Sequence, residues 1–434
     1  MPSIRRRFAA LAVALGLAAA PARAQTPPPV LPDTGLTVVL LTMGQGDMVW
    51  EKFGHNALWI HDPARGTDRV YNYGMFDFRS PGYWGRFLKG NWLYELGVQS
   101  IQNTVYQYQY FNRAMWAQEL NLTPAQKREL QGLLETNALP QNREYLYDYY
   151  RDNCSTRIRD VLDRVTGGAL RRTAGDSLTG TTYRWHSERL IASDGASYFG
   201  LAGGLGPAAD RNITAWEEMF LPFKVQQQVR NVRVADASGR PVPLVAREWT
   251  MLDAPGRGPE RAEPPFWTPF YLLAGLVIAG ILVLLGRKAP RSGWARFGFS
   301  AIGTLWLLLA GVGGLLLVLL WTMTNHSIAY RNENLLQLSP LALPLVLLVP
   351  CLAYGARWAA RPARLLTTVI AGLSLLGFVL QVLPGLDQRN AQMIALALPI
   401  NLALALVVRV LASRTPPPPA RAGTPKRARQ RATA

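Results

Sequence analysis

Among the 434 residues are two cysteines and four histidines, the side chains from which a thiol nucleophile and its base are built. Cys154 stands in YDYYRDNCSTRIRDVLDRVTGG, residues 147–168. Ile158, Val161, Leu162 and Val165 recur there at i, i+3, i+4 and i+7, which predicts a helix starting near Cys154 and stopping at Gly167 and Gly168. A thiol at a helix N-terminus sits in the positive end of the dipole, which lowers its pKa and favours the thiolate. The N–H groups of that first turn are placed to stabilise an oxyanion on an attacked carbonyl. The competing reading is a buried, inert cysteine, common for this residue type.

A thiolate of this kind needs an imidazole and a polar group to orient it. His55 opens an alternating segment directly after Gly54, where bare backbone lets a substrate approach. His61 lies six residues on, about 20 Å along an extended strand, and abuts the turn signal Asp62-Pro63. His186, in YRWHSER, has no readable context, and His326 falls in the C-terminal third. The residues favour His55 over His61 and His186. Residues 55–60 and 69–74, taken as a hairpin closing around 64–65, put position 57 opposite 72. Asn72 then lies diagonally beside His55, roughly 7–8 Å between backbones, with Tyr71 and Tyr73 competing for the orienting role.

The elements that must hold these residues mix strands and helices without βαβ alternation, which predicts an α+β domain. Residues 36–43, 54–62, 69–74 and 91–99 read as strands. Residues 122–137 read as a helix, with Thr123 as N-cap, Pro124 at its first position and Gln126 completing a capping box. Residues 104–121 fit neither pattern, and 230–248 predict a late hairpin around DASGRP.

Charge separates the chain into parts. Residues 1–24 hold four basic side chains, residues 25–265 hold 26 basic and 26 acidic, and residues 266–434 hold 16 basic and two acidic. The neutral middle part has no excess charge with which to attract nucleic acid. Arg5, Arg6 and Arg7, an apolar run and Ala22-Arg23-Ala24 make residues 1–24 a secretory signal peptide. Five apolar stretches follow: 266–285, 299–322, 341–354, 365–383 and 393–411. Four have the roughly 20 residues that span a bilayer; the third is shorter and is expected to tilt less or snorkel. Basic residues crowd the first and third connections and the tail, which predicts those parts inside and the N-terminal domain outside. The expected layout is a signal peptide (1–24), an exported thiol domain (25–252), a linker (253–265), a transmembrane domain of five helices (266–412) and a disordered basic tail (413–434). Cys351 falls within the third stretch, so Cys154 has no bridging partner in an oxidising compartment. No metal or cofactor is implied, since His and acidic residues do not cluster at ligand spacings and no glycine-rich phosphate loop is present.

A strand-borne His followed about a hundred residues later by a helix-start Asn-Cys resembles the circularly permuted, papain-like branch of the NlpC/P60 superfamily, which includes lecithin:retinol acyltransferase-like enzymes. More closely, FGHNALWI, YNYGMFDF, FLKGNWLYEL, YLYDYYRDNCSTRIRDVL, GPAADRNITAWEEMFLP and NHSIAYRNENLLQLSPLALPL together resemble the Lnb N-terminal periplasmic domain family, whose namesake is a bacterial lipoprotein N-acyltransferase. The resemblance implies a permuted papain-like domain in the periplasm, anchored in the inner membrane. It further implies thiol-dependent acyl transfer from a membrane phospholipid to a lipoprotein, with Cys154 as nucleophile and His55 as base. Loop 324–340 would sit near that site, with His326, Asn332 and Asn334 as candidates for binding a lipid headgroup; interfacial anchoring and helix capping are the plainer reading of that loop. Two other functions remain open from the residues: a membrane-tethered cysteine amidase or peptidase of the cell wall, and a non-catalytic binding module.

Overall fold

The computed structural model describes residues 35–386 and 388–414. The signal-peptide reading of residues 1–24 lies outside them. So does the basic tail, except that Ser413 and Arg414 end the last helix and are not disordered.

The N-terminal domain is built on one antiparallel sheet. Its strands are β1 (Thr37–Met43), β2 (His55–Asp62), β3 (Thr67–Met75), β4 (Leu93–Ser100), β5 (Met115–Leu120) and β6 (Glu144–Leu146). With the late strand Val245–Leu252 they lie in the order Val245–Leu252, β5, β1, β2, β3, β4, β6. β1 is a β-branched apolar run because both of its faces are covered; its residues Val38 to Met43 are all buried. β2 and β3 pair as Leu58 with Tyr71 and Trp59 with Val70, the register expected for a turn closing at 64–65.

One face of the sheet, with Leu58, Ile60, Tyr71 and Tyr73, packs on helices α3 (Pro124–Asn137) and α4 (Cys154–Val165) through Leu130, Leu134, Ile158 and Leu162. The other face, with Val39, Leu41, Ala57 and Val70, packs on helix α2 (Ile101–Tyr110) through Ile101 and Tyr108. The α+β expectation holds. The ambiguous stretch 104–121 divides into most of α2 and β5. Its pattern is weak because α2 buries only Ile101, Thr104 and Tyr108, while β5 is an inner strand with four of its six residues buried. The hairpin around DASGRP is present (Arg233–Ala235 with Pro241–Pro243). Residues after it leave the pair to flank β5.

The linker is a pinned strap. Arg257 pairs with Asp47 at 2.8 Å, and Arg189 holds Glu260 at 3.1 Å and the Arg261 carbonyl at 2.9 Å.

Beyond it, four helices among the described residues are long and apolar enough to cross a membrane: Thr268–Lys288, Gly293–Met323, Arg357–Leu380 and Ala391–Arg414. The third expected stretch, 341–354, is not one continuous helix. It is the second half of a broken span, Glu333–Ala342 followed by Leu345–Ala353, bent by 58°. Pro340 and Pro344 stand at the break, where proline removes helix donors. Glu333 accepts a bond from Gln381 at the C-terminal end of the Arg357–Leu380 helix, and the Tyr354 ring lies 5.4 Å from the Arg296 guanidinium near the start of Gly293–Met323. The segment therefore runs from one end of the helix bundle to the other and does not turn back. Its freed backbone groups must be satisfied within the protein. The buried Asn401 amide donates to Gln337 O at 3.1 Å and to Ser374 Oγ at 3.1 Å, and accepts from Trp306 Nε1 at 2.9 Å.

Candidate active site

The registers gather one end of each strand at a common edge. Met43 pairs with His55 and with Met115, and Met75 with Glu95. The N-terminus of α4 arrives at the same edge. Asn153 caps that helix: its Oδ1 accepts from Ser155 N and Thr156 N, both at 2.9 Å, and Thr156 Oγ1 accepts from Asn153 N at 2.7 Å. The Asn153 Nδ2 donates to Tyr149 O at 2.7 Å and Phe220 O at 2.9 Å. The Asn-Cys dipeptide thus has a mechanical meaning. One buried amide ties the first turn of α4 to two other segments and fixes where the next residue, Cys154, points.

Cys154 is 8% exposed and its thiol meets the His55 side chain. Burial pushes the thiol up. The charge and hydrogen bond of His55, the Asn56 N–H and the Ser155 hydroxyl outweigh that effect and bring the Cys154 pKa from its usual 9.0 down to about 7. A thiolate is therefore well populated near neutral pH.

Two glycines shape the approach. Gly54 has φ +78°, and a Cβ there would lie 2.8 Å from Met43 O, so glycine serves the turn into β2. Gly74, at a register shift in β3, has φ +89°, and its Cβ would stand 3.5 Å from Cys154 Cβ. The bare backbone beside Cys154 is that of Gly74, with Tyr147 and the Tyr145 hydroxyl next to it. Burial holds both phenols protonated, and the Cys154 charge adds to the effect. The buried Tyr145 hydroxyl has no hydrogen-bond partner among the described residues. Neither tyrosine was singled out from the sequence, where the only signal was the alternation of aromatics in YLYDYY.

The structure places the other predicted residues as follows. Asn72 is buried on the α2 face, and its amide donates to Val70 O at 3.3 Å. His61 lies at the far end of β2, 2.8 Å from Asp68. His186 is buried, 3.0 Å from Glu218 and 3.0 Å from Thr181 Oγ1; burial lowers its pKa. His326 lies against the N-terminal domain, 3.5 Å from the Tyr149 hydroxyl, in a small crevice with Gly90, Trp92, Tyr147 and Asn325. The side-chain nitrogens of Asn332 and Asn334 are committed elsewhere. Asn332 Nδ2 donates to Gly203 O, Gly204 O and Leu205 O at 2.9–3.2 Å, and Asn334 Nδ2 donates to Gly203 O at 3.0 Å. They fasten the helix bundle to the end of the Gly195–Gly204 helix. Among the described residues no three His, Cys, Asp or Glu side chains are gathered as a metal ion would require.

Residues 32–189, which include His55 and Cys154, match the family model of the Lnb N-terminal periplasmic domain. Residues 261–414 match that of the Lnb transmembrane domain. The chain belongs to the Lnb family. It is a membrane protein joining that family's N-terminal periplasmic domain to its helical membrane domain. No curated protein and no solved structure matches the chain.

Proposed function

We propose that this Lnb-family protein is a thiol acyltransferase of the bacterial inner membrane, with a papain-like catalytic domain on the periplasmic side. The observation that carries the reading is the Cys154–His55 contact at the start of α4, with the thiol brought to about 7. The Cys154 thiolate attacks the carbonyl of a phospholipid acyl ester. The Tyr145 hydroxyl, unpartnered beside it, donates to the oxyanion that forms, as such donors do for acyl transfer. His55 in its protonated form gives its proton to the departing lysophospholipid oxygen, leaving a Cys154 thioester. The free α-amine of a lipoprotein N-terminus then attacks the thioester, neutral His55 takes the amine proton, and the thiolate leaves as the amide forms. The positive charge of the bundle connections and the family's periplasmic domain support the orientation.

Purified protein in phospholipid vesicles with a lipopeptide bearing a free N-terminal amine tests this. The reading expects acylated lipopeptide and lysophospholipid in equal amounts, no product with Cys154→Ser, and a rate lowered on the order of 10²- to 10³-fold with Tyr145→Phe. Cleavage of cell-wall peptides without lipopeptide acylation would make the protein an amidase. Full complementation of a deletion by Cys154→Ala and by His55→Ala would make it a binding module.

A further inference from the structure

The segment between β3 and β4 is an unusual surface for a water-facing domain. It holds the short helix α1 (Tyr83–Lys89), which turns Trp84 and Leu88 outward, 61% and 67% exposed. These positions are four apart and so share a face. Phe78 and Trp50, 41% and 49% exposed, extend the patch: Trp50 lies 5.5 Å from Phe78, and Phe78 lies 6.1 Å from Trp84. Contiguous exposed apolar surface of this kind marks contact with a partner or a membrane.

What covers the patch follows from where α1 is fastened. Lys89 O accepts from Asn325 N at 2.8 Å, and Asn325 Nδ2 donates to Asn91 Oδ1 at 2.6 Å. Gly90 lies so close that a Cβ would be 3.0 Å from His326 N. Asn325 is two residues beyond the end of the Gly293–Met323 helix. That helix, at about 1.5 Å per residue, is roughly 46 Å long against a hydrocarbon core of ~30 Å. Trp294 and Arg296 mark its other interface, so its outer end, with exposed Trp321 and Met323, emerges among the headgroups. α1 is held at that height. Aromatic side chains at this level are characteristic of membrane interfaces. The patch also continues inward to the thiol: Phe76 stacks on Tyr94 at 4.9 Å, Tyr94 lies 4.3 Å from Tyr147, and Tyr147 adjoins Gly74 beside Cys154.

We propose that α1 and the aromatic residues around it rest in the leaflet facing the N-terminal domain, and that they lead the acyl chain of one of its phospholipids to Cys154. Contact with the leaflet stands on the fastening of α1 alone; delivery of the chain to the sulfur rests on the acyltransferase reading.

The test places p-benzoylphenylalanine at Trp84 or Leu88 in the full chain, reconstituted in vesicles of phosphatidylethanolamine and phosphatidylglycerol. Trp321 serves as the membrane-facing control, and Ala64, in the β2–β3 turn at the opposite end of the sheet, as the distant one. After irradiation, mass spectrometry is expected to find phospholipid attached at 84, 88 and 321, at least tenfold above position 64, and equally so when Cys154→Ser is also present. Attachment at 321 but not at 84 or 88 overturns the proposal, as does capture of a second copy of this chain in place of lipid. Because the readout needs no chemistry at Cys154, lipid capture at 84 and 88 beside a failed lipopeptide assay would sink the acyltransferase reading and leave the membrane contact standing.

Discussion

Replacing His55 with alanine is expected to move the midpoint of Cys154 alkylation from about 7 to above the ordinary thiol value of 9.0. The sign follows from the balance at the sulfur. Burial raises the pKa and is the largest single influence; the His55 charge and its hydrogen bond are the next two, and both lower it. Removing them leaves burial opposed only by the Asn56 N–H and the Ser155 hydroxyl. In the intact protein the thiolate forms as pH rises through about 7, and in His55→Ala it stays protonated across that range. Iodoacetamide labelling against pH, in a Cys351→Ala background so that one thiol reports, measures the shift. Acyl transfer should fall by roughly 10²- to 10⁴-fold in the same variant, the usual contribution of a positioned acid–base group. A midpoint that stays near 7 would mean that something other than His55 lowers the thiol.

Asn153→Ala is expected to destabilise the N-terminal domain by about 3 kcal/mol, the upper end of the usual range for one side chain. Loss of an N-cap costs about 1–2 kcal/mol, and the remainder comes from leaving the Tyr149 and Phe220 carbonyls without the buried amide they now share. Asn153→Asp keeps the oxygen that accepts from Ser155 N and Thr156 N but has no N–H to offer those carbonyls, so its stability should fall between the two. Thermal unfolding of the detergent-solubilised proteins gives the order. An alanine variant within about 0.5 kcal/mol of the original would contradict the cap's role in seating Cys154.

The local features of this protein were legible because they are written in neighbouring residues. The Thr123–Gln126 capping box, the stripe from Ile158 to Val165 and the hairpin register around residues 64–65 each depend on a few positions in a row. The pairing of a strand-opening histidine with a helix-opening cysteine was legible through residue type and scarcity. What stayed hidden depends on partners distant in the chain. Nothing near Asn332 or Asn334 announces that their amides close onto Gly203–Leu205, and they read equally well as headgroup ligands. The break in the third span required seeing that Asn401 and Ser374 sit where Gln337 and its neighbours leave the helix. β6 is three residues long, too short for alternation to show, yet it carries Tyr145 to the sulfur. α1 was missed because it is only seven residues long, buries only Tyr83 and exposes Trp84 and Leu88, so no apolar stripe marks its period.

The most direct test of the central claim is the mass of the Cys154 peptide after the protein is incubated with phospholipid vesicles and no amine acceptor. The account predicts a hydroxylamine-labile acyl group on Cys154, absent when His55 is alanine at pH 7. An unmodified Cys154 peptide from folded, vesicle-inserted protein, with its thiol still titrating near 7, would contradict it.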